Sequence, residues 1–206
     1  MNFYFEFRDI GADGDEKFLK HLILYKVDAQ KSFSRHAMFW ACRYGLIKSV
    51  NFLIDKNIDF HFEEEICLKW SCENGHFDTA KLLIEKGADI HTKEDYALSI
   101  ACRMGHYFIV KLLIEHGAII NTWDNQPLLW ASQRGNKQIA QFLIKNGAKP
   151  TQDVIIKYLC FREDIDSIKA IIENGSSINQ VKEALLRNSD IASELKYLTT
   201  AFNLNL

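Results

Sequence analysis

Apolar positions along the chain gather in short blocks that alternate between two helical patterns and return at a fixed interval. In DYALSIACR at 95–103, Ala97, Leu98, Ile100, Ala101 and Cys102 leave Ser99 and Arg103 as the polar positions. In YFIVKLLIEH at 107–116, Ile109, Val110, Leu112, Leu113 and Ile114 form a broad apolar face. Each block predicts a helix too short to be stable alone, and the pair keeps an apolar face to cover. Thirty residues on either side of ACRMGHYFIVKLLIEHGAII (101–120) the chain writes nearly the same text: SCENGHFDTAKLLIEKGADI at 71–90 and ASQRGNKQIAQFLIKNGAKP at 131–150. Stacking such pairs buries the uncovered face continuously, so a period of this size predicts a solenoid.

Glycines mark the register at 45, 75, 105 and 135, and again at 87, 117 and 147, with Asn57 in the earlier slot of the second series. Asn is the residue that best replaces Gly in a left-handed helix C-cap. A fifth copy, LCFREDIDSIKAIIENGSSI at 159–178, follows at a spacing of twenty-eight, keeping Gly175 and placing Glu163 where the first glycine would be.

These residues resemble the ankyrin-repeat family. Gly75-His76 and Gly105-His106 match its Gly-His, and Gly87-Ala88, Gly117-Ala118 and Gly147-Ala148 match its Gly-Ala. Leu82-Leu83 and Leu112-Leu113 match its paired leucines. The opening is degenerate, with only QPLL at 126–129 keeping Pro-Leu. The resemblance covers about 29–178. It implies an all-α ankyrin-repeat solenoid of stacked helix pairs, and a histidine that hydrogen-bonds to the neighbouring unit. The family's usual period is about 33 residues, so three are missing from the loop before each first helix, and shortened fingers with little regular β-hairpin are expected. Thirty-residue units with Trp in the first helix look like the ankyrin arrays of giant DNA viruses.

The expected organisation is an N-terminal capping half-repeat at 1–28, repeats at 29–60, 61–90, 91–120, 121–150 and 151–178, and a C-terminal helical cap at 179–206. DGDEKFLKHLILYKVD (13–28) aligns with YGLIKSVNFLIDKNID (44–59), which puts Gly14 on Gly45; FYFEFRDI before it is then a degenerate first helix or an extended cover.

Composition changes little in this picture. A formal charge of −2 does not mark a nucleic-acid or anionic-membrane binder. No apolar run approaches the roughly 18 residues of a membrane span, and the aromatic, acidic start lacks the features of a signal peptide. Five cysteines without a C-x-x-C pair point to a reduced, cytoplasmic protein, in the host cytoplasm if viral.

Candidate chemistry is sparse. Cys42, Cys72, Cys102 and Cys160 share one small-residue slot, a helix-pair width of roughly 10 Å apart, too far to share a metal bound at about 2.3 Å. Packing is their expected role. HFEEEIC at 61–67 is the best local candidate for a metal or acid–base site, but Glu63, Glu64 and Glu65 are consecutive and cannot share a helix face, so a solvated fingertip is expected. Trp40, Trp70 and Trp130 recur in one slot of the apolar stripe and are expected in the core. No catalytic motif is present, and no enzyme activity, cofactor or metal is expected.

The variable letters carry the functional expectation. The pair before the first glycine reads Arg43-Tyr44, Glu73-Asn74, Arg103-Met104, Gln133-Arg134 and Phe161-Arg162. The resemblance implies that this end of the first helix faces a concave groove, and Arg, Tyr, Met and Phe are contact-prone residues. Trp123 sits at a finger where other copies carry Glu63 and Lys93, as a candidate anchor. Arginines on the floor beside the acidic fingers (Glu63, Glu64, Glu65, Glu94, Asp95, Asp124, Asp153) suit a protein partner of mixed charge and repel DNA. The alternative for these positions is a tolerant surface. The expected function is protein–protein binding by a monomer or weak homo-oligomer. The alternatives are an adaptor to a degradation or signalling machine, for which the C-terminus shows no F-box-like segment, or a self-associating structural protein.

Overall fold

The structure, a computed structural model, describes residues 3–149. The fold is all-α: the described residues form ten helices and no strand. They fall into two units, the first ending at Ala118 and the second starting at Ile119. The fifth repeat, the C-terminal cap, Asp153, Cys160, Phe161 and Arg162 lie outside the described residues.

The first unit holds α1 (Phe3–Ala12), α2 (Asp15–Leu24), α3 (Ser34–Arg43), α4 (Ile47–Asp55), α5 (Ile66–Glu73), α6 (Phe77–Glu85), α7 (Thr92–Met104) and α8 (Tyr107–Glu115). The segment expected as either a degenerate helix or an extended cover is helical. Odd-numbered helices pack side by side (α1 on α3, α3 on α5, α5 on α7), and even-numbered helices do the same. The second unit holds α9 (Thr122–Arg134) packed on α10 (Lys137–Lys145).

The apolar ladder that the period implies is the core. Met38, Leu68 and Leu98 occupy one slot of successive first helices, and Leu53, Leu83 and Leu113 one slot of successive second helices; all are fully buried or nearly so. In the second unit Leu128 and Leu143 fill the same two slots, also fully buried. Cys42, Cys72 and Cys102 are buried free thiols, and burial pushes the Cys72 thiol up to about 12. The Cys67 thiol is raised by its hydrogen bond to Cys42 and by burial. Where the second unit has Ser132 in the slot of Cys42, Cys72 and Cys102, the hydroxyl turns back onto the Leu128 carbonyl at 2.8 Å. Ser99, expected as a polar position, is fully buried too, being small enough to fit between packed helices.

Within the first unit, successive helix pairs are joined by polar contacts as well. His76 Nε2 lies 2.9 Å from the carbonyl of Arg43, and His106 Nε2 lies 3.0 Å from that of Glu73. A carbonyl only accepts, so Nε2 carries the proton and donates. Helix α4 has no capping side chain of its own. Asp15 of α2 supplies one, accepting from the backbone N–H of Lys48 at 2.8 Å and of Ser49 at 3.0 Å. An acid at a helix N-terminus satisfies orphan donors and the helix dipole together.

Each second helix of the first unit ends in a left-handed residue, and the slot holds Lys26, Asn57, Gly87 and Gly117 in turn. The next N–H then closes the cap on a leucine carbonyl, as Ala88 does on Leu83 at 2.9 Å. Lys26 adopts φ 49°, a region that costs a residue with a side chain roughly 1–2 kcal/mol. Lys26→Gly is therefore expected to stabilise the chain by about 1 kcal/mol, read as an increase in urea midpoint. A decrease would mean that the lysine side chain carries a contact worth more than the strain.

Two expectations need correction. Trp40 and Ile100 are buried, but Trp70 and Trp130 are half-exposed. The slot lies at the margin of the stripe, where an Ile fits beneath the surface and an indole needs a cover, which Trp40 has in the Tyr44 ring stacked on it. The acidic finger is not wholly solvated either: Glu65 and Asp95 are buried.

Candidate protein-binding surface

The fingers of this chain are turns of left-handed helix. Glu63, Glu64 and Glu65 have φ between 47° and 59°, and Lys93, Glu94 and Asp95 between 51° and 60°. Three consecutive non-glycine residues in this region carry a conformational cost. What offsets it is visible at the third residue of each turn. Asp95 Oδ1 lies 2.9 Å from His91 Nδ1, and Glu65 Oε1 lies 2.6 Å from His61 Nδ1 and 3.2 Å from the backbone nitrogen of Asp89, beyond α6. The first two residues of each turn point out as exposed tips. In the second unit Trp123, Asp124 and Asn125 form the same turn, with Trp123 54% exposed and Asn125 buried.

The variable pairs stand at the C-terminal ends of the first helices. Arg43, Tyr44, Glu73 and Arg103 are half-buried, whereas Asn74 and Met104 are exposed. Gln133 and Arg134, at the end of α9 in the second unit, are exposed. The backbone beneath Arg43 and Glu73 is pinned by the histidine of the following unit, so the frame is rigid and only the side chains vary. Asn74 spends its amide locally, donating to the Trp70 carbonyl at 2.8 Å.

Arg43 and Tyr44 belong to a stacked surface that the sequence pattern did not reveal. The Tyr44 ring stacks on Trp40 with centroids 5.7 Å apart. The Arg43 guanidinium lies 3.8 Å from the centre of the Trp70 ring, on the next first helix. The Lys69 ammonium then sits 5.7 Å from the Trp70 centroid and 5.4 Å from that of Tyr96 on α7. Cations and aromatic faces thus alternate across α3, α5 and α7, each contact contributing about 0.5–2 kcal/mol according to its exposure. Reading the copies for variability at two more slots would have found these residues. The Lys69 slot holds Phe39, Lys69, Ser99 and Leu129, and the Tyr96 slot holds Ile66, Tyr96 and Gln126.

Tyr96 and Lys69 also line a cleft of about 710 Å³ between the turns at 63–65 and 93–95. The stacked surface and the cleft are continuous through these two side chains. Among the described residues, no three His, Cys, Asp or Glu side chains group so as to hold a metal ion. Among the described residues, no helix is long and apolar enough to cross a membrane.

Helix pairs stacked at a fixed register, with a buried leucine ladder and a variable rim, define a helical repeat protein. The family model described as ankyrin repeats (three copies) matches residues 10–94 and 91–154. The chain belongs to the ankyrin-repeat family. No curated protein matches it. Ankyrin repeats are generally protein–protein interaction modules and non-enzymatic scaffolds.

Proposed function

We propose that this chain binds a protein partner through the groove formed by the ends of its first helices, together with its finger turns. The contact residues are Arg43, Tyr44, Glu73, Asn74, Arg103 and Met104 in the first unit and Gln133 and Arg134 in the second, with Trp123 at a finger; Phe161 and Arg162, outside the described residues, are assigned with them from the repeat register alone. The observation that carries this reading is the stacking of Arg43 and Tyr44 on Trp70 and Trp40. Tryptophan, tyrosine and arginine dominate binding hot spots because they bury large area with few rotamers to freeze. Holding the Arg43 guanidinium over an indole meets part of the ordering cost of its contacts beforehand.

The thirty-residue period and the tryptophans of the first helices support an array like those of giant DNA viruses, acting in the host cytoplasm. The repeat boundaries at 29, 61, 91, 121, 151 and 179, with an N-terminal cap before them, belong to the same reading. Self-association has its own support in Ile23 and Leu24, which are 57% and 70% exposed on α2. Light scattering over a concentration range separates that alternative from a monomeric binder.

The partner is to be captured by affinity pull-down and identified by mass spectrometry. Arg43→Glu with Arg103→Glu is then expected to weaken the complex by about 2–4 kcal/mol with the fold intact. The control is Lys81→Glu with Lys111→Glu: both lysines are exposed on second helices and paired only within them, to Glu85 and Glu115. If the control pair abolishes binding and the arginine pair does not, the contact surface lies on the second helices instead.

A further inference from the structure

We infer that the cleft between the turns at 63–65 and 93–95 receives an arginine side chain of the partner polypeptide. This rests on the reading of the chain as a protein-binding module and assigns one contact within it. Four carboxylates (Glu63, Glu64, Glu65 and Asp89) line the cleft against two ammonium groups, those of Lys69 and Lys93. Most of these charges are already engaged. Asp89 Oδ1 accepts from the backbone N–H of His91 at 2.9 Å and its Oδ2 from the Thr92 hydroxyl at 3.2 Å. Glu64 pairs with Lys93 across the cleft, and Lys69 lies over aromatic faces. Glu65 Oε1 is taken by His61 and by the Asp89 N–H.

Two acceptors are left. Glu65 is 7% exposed and its Oε2 has no hydrogen-bond partner. A buried carboxylate oxygen without a donor is an unfavourable arrangement that an incoming N–H relieves. Glu63, at the exposed rim, is the second.

The rest of the lining fits the stem and plane of arginine. Ile66, Leu68 and Ile90 give an apolar wall for three methylenes, and Tyr96, whose ring already carries the Lys69 ammonium 5.4 Å from its centroid, completes the lining. A guanidinium carries five donors in a fork and is more weakly hydrated than an ammonium, so entering a partly dry cleft costs it less. The Glu64–Lys93 pair that joins the two fingers is exposed on both sides, and such a pair contributes little and parts readily.

The test uses the full chain, labelled with nitrogen-15, and a blocked peptide, acetyl-Gly-Ala-Arg-Ala-Gly-amide. Parallel titrations replace its arginine with lysine or with citrulline, the neutral isostere. The arginine peptide is expected to shift the amides of Ile66, Lys69, Lys93 and Tyr96 to saturation. The lysine peptide should bind several-fold more weakly, and citrulline should leave the spectrum unchanged. Glu65→Gln should raise the dissociation constant by about tenfold or more. Glu63→Gln, at a position that cannot disturb the buried wall, should raise it by about threefold. Equal binding of arginine and citrulline peptides, shifts confined to other residues, or unchanged binding by both variants overturns the proposal; equal binding of the lysine peptide overturns the choice of arginine. No native partner is needed, so a failed titration beside a working arginine-pair effect removes the cleft alone, and the reverse result removes the groove alone.

Discussion

Gly75→Ala is expected to lower the unfolding free energy by about 3 kcal/mol, most of it through a contact with the next repeat. Gly75 has φ +79°, and a Cβ built there would lie 2.6 Å from His106 Cε1 and 2.8 Å from its Nδ1. The left-handed backbone alone costs roughly 1–2 kcal/mol for a residue with a side chain. Overlap in a packed region adds about 1–3 kcal/mol. The imidazole cannot simply swing away, because its Nε2 donates to the Glu73 carbonyl at 3.0 Å. Gly87→Ala isolates the backbone part. Its φ is +97° and nothing lies within 4 Å of the added carbon, so about 1–2 kcal/mol is expected. Urea titrations of the two variants give the comparison. His106→Ala added to Gly75→Ala should recover part of the loss, a coupling of about 1 kcal/mol. Equal losses at Gly75 and Gly87, with no coupling, would show that the bond to the Glu73 carbonyl does not hold the His106 ring in place.

Phe18→Ala is expected to cost about 3–5 kcal/mol, the range for truncating a buried ring. Phe18 is fully buried on α2, and its ring packs on that of Phe7, centroids 5.5 Å apart. Phe7 in turn meets Phe33 at 6.0 Å, ahead of α3. The cluster therefore ties the first helix pair to the second. In stacked repeats each unit is stabilised by its neighbours, so an end unit with one interface is the first to lose its structure. The loss should appear in hydrogen exchange as early opening of α1 and α2 while α5 and α7 stay protected. A cost below about 1 kcal/mol, or uniform loss of protection across the unit, would contradict this packing.

The proposed function rests on side chains whose burial was legible to very different degrees. Arg43, Glu73 and Arg103 fall at first-helix ends, where the repeat register places them. Variation inside an invariant frame was enough to single them out, because a slot free of packing constraints shows it in its residue types. Lys69 and Tyr96 escaped notice because each looks ordinary within its own repeat. The ring of Tyr96, one repeat away, together with Trp70 beside it, gives Lys69 a defined position.

The sequence by itself determined the repeat, the helix pairs, their caps and the leucine ladder. Each of these is a requirement on one slot: a left-handed φ selects Gly or Asn, and a closed space of fixed size selects Leu, Met or Cys. The tertiary structure alone decided the fate of the long polar and aromatic side chains. Trp40 is covered while Trp70, in the same slot, is half-exposed under Arg43. Glu65 is buried while Glu63 and Glu64 are exposed tips, although the three are written alike. The difference comes from a left-handed turn that no glycine announces, and from a backbone N–H at Asp89, 24 residues further on, that meets the Glu65 carboxylate. A local pattern specifies what a slot must hold. Where a long side chain ends is set by the repeat packed against it.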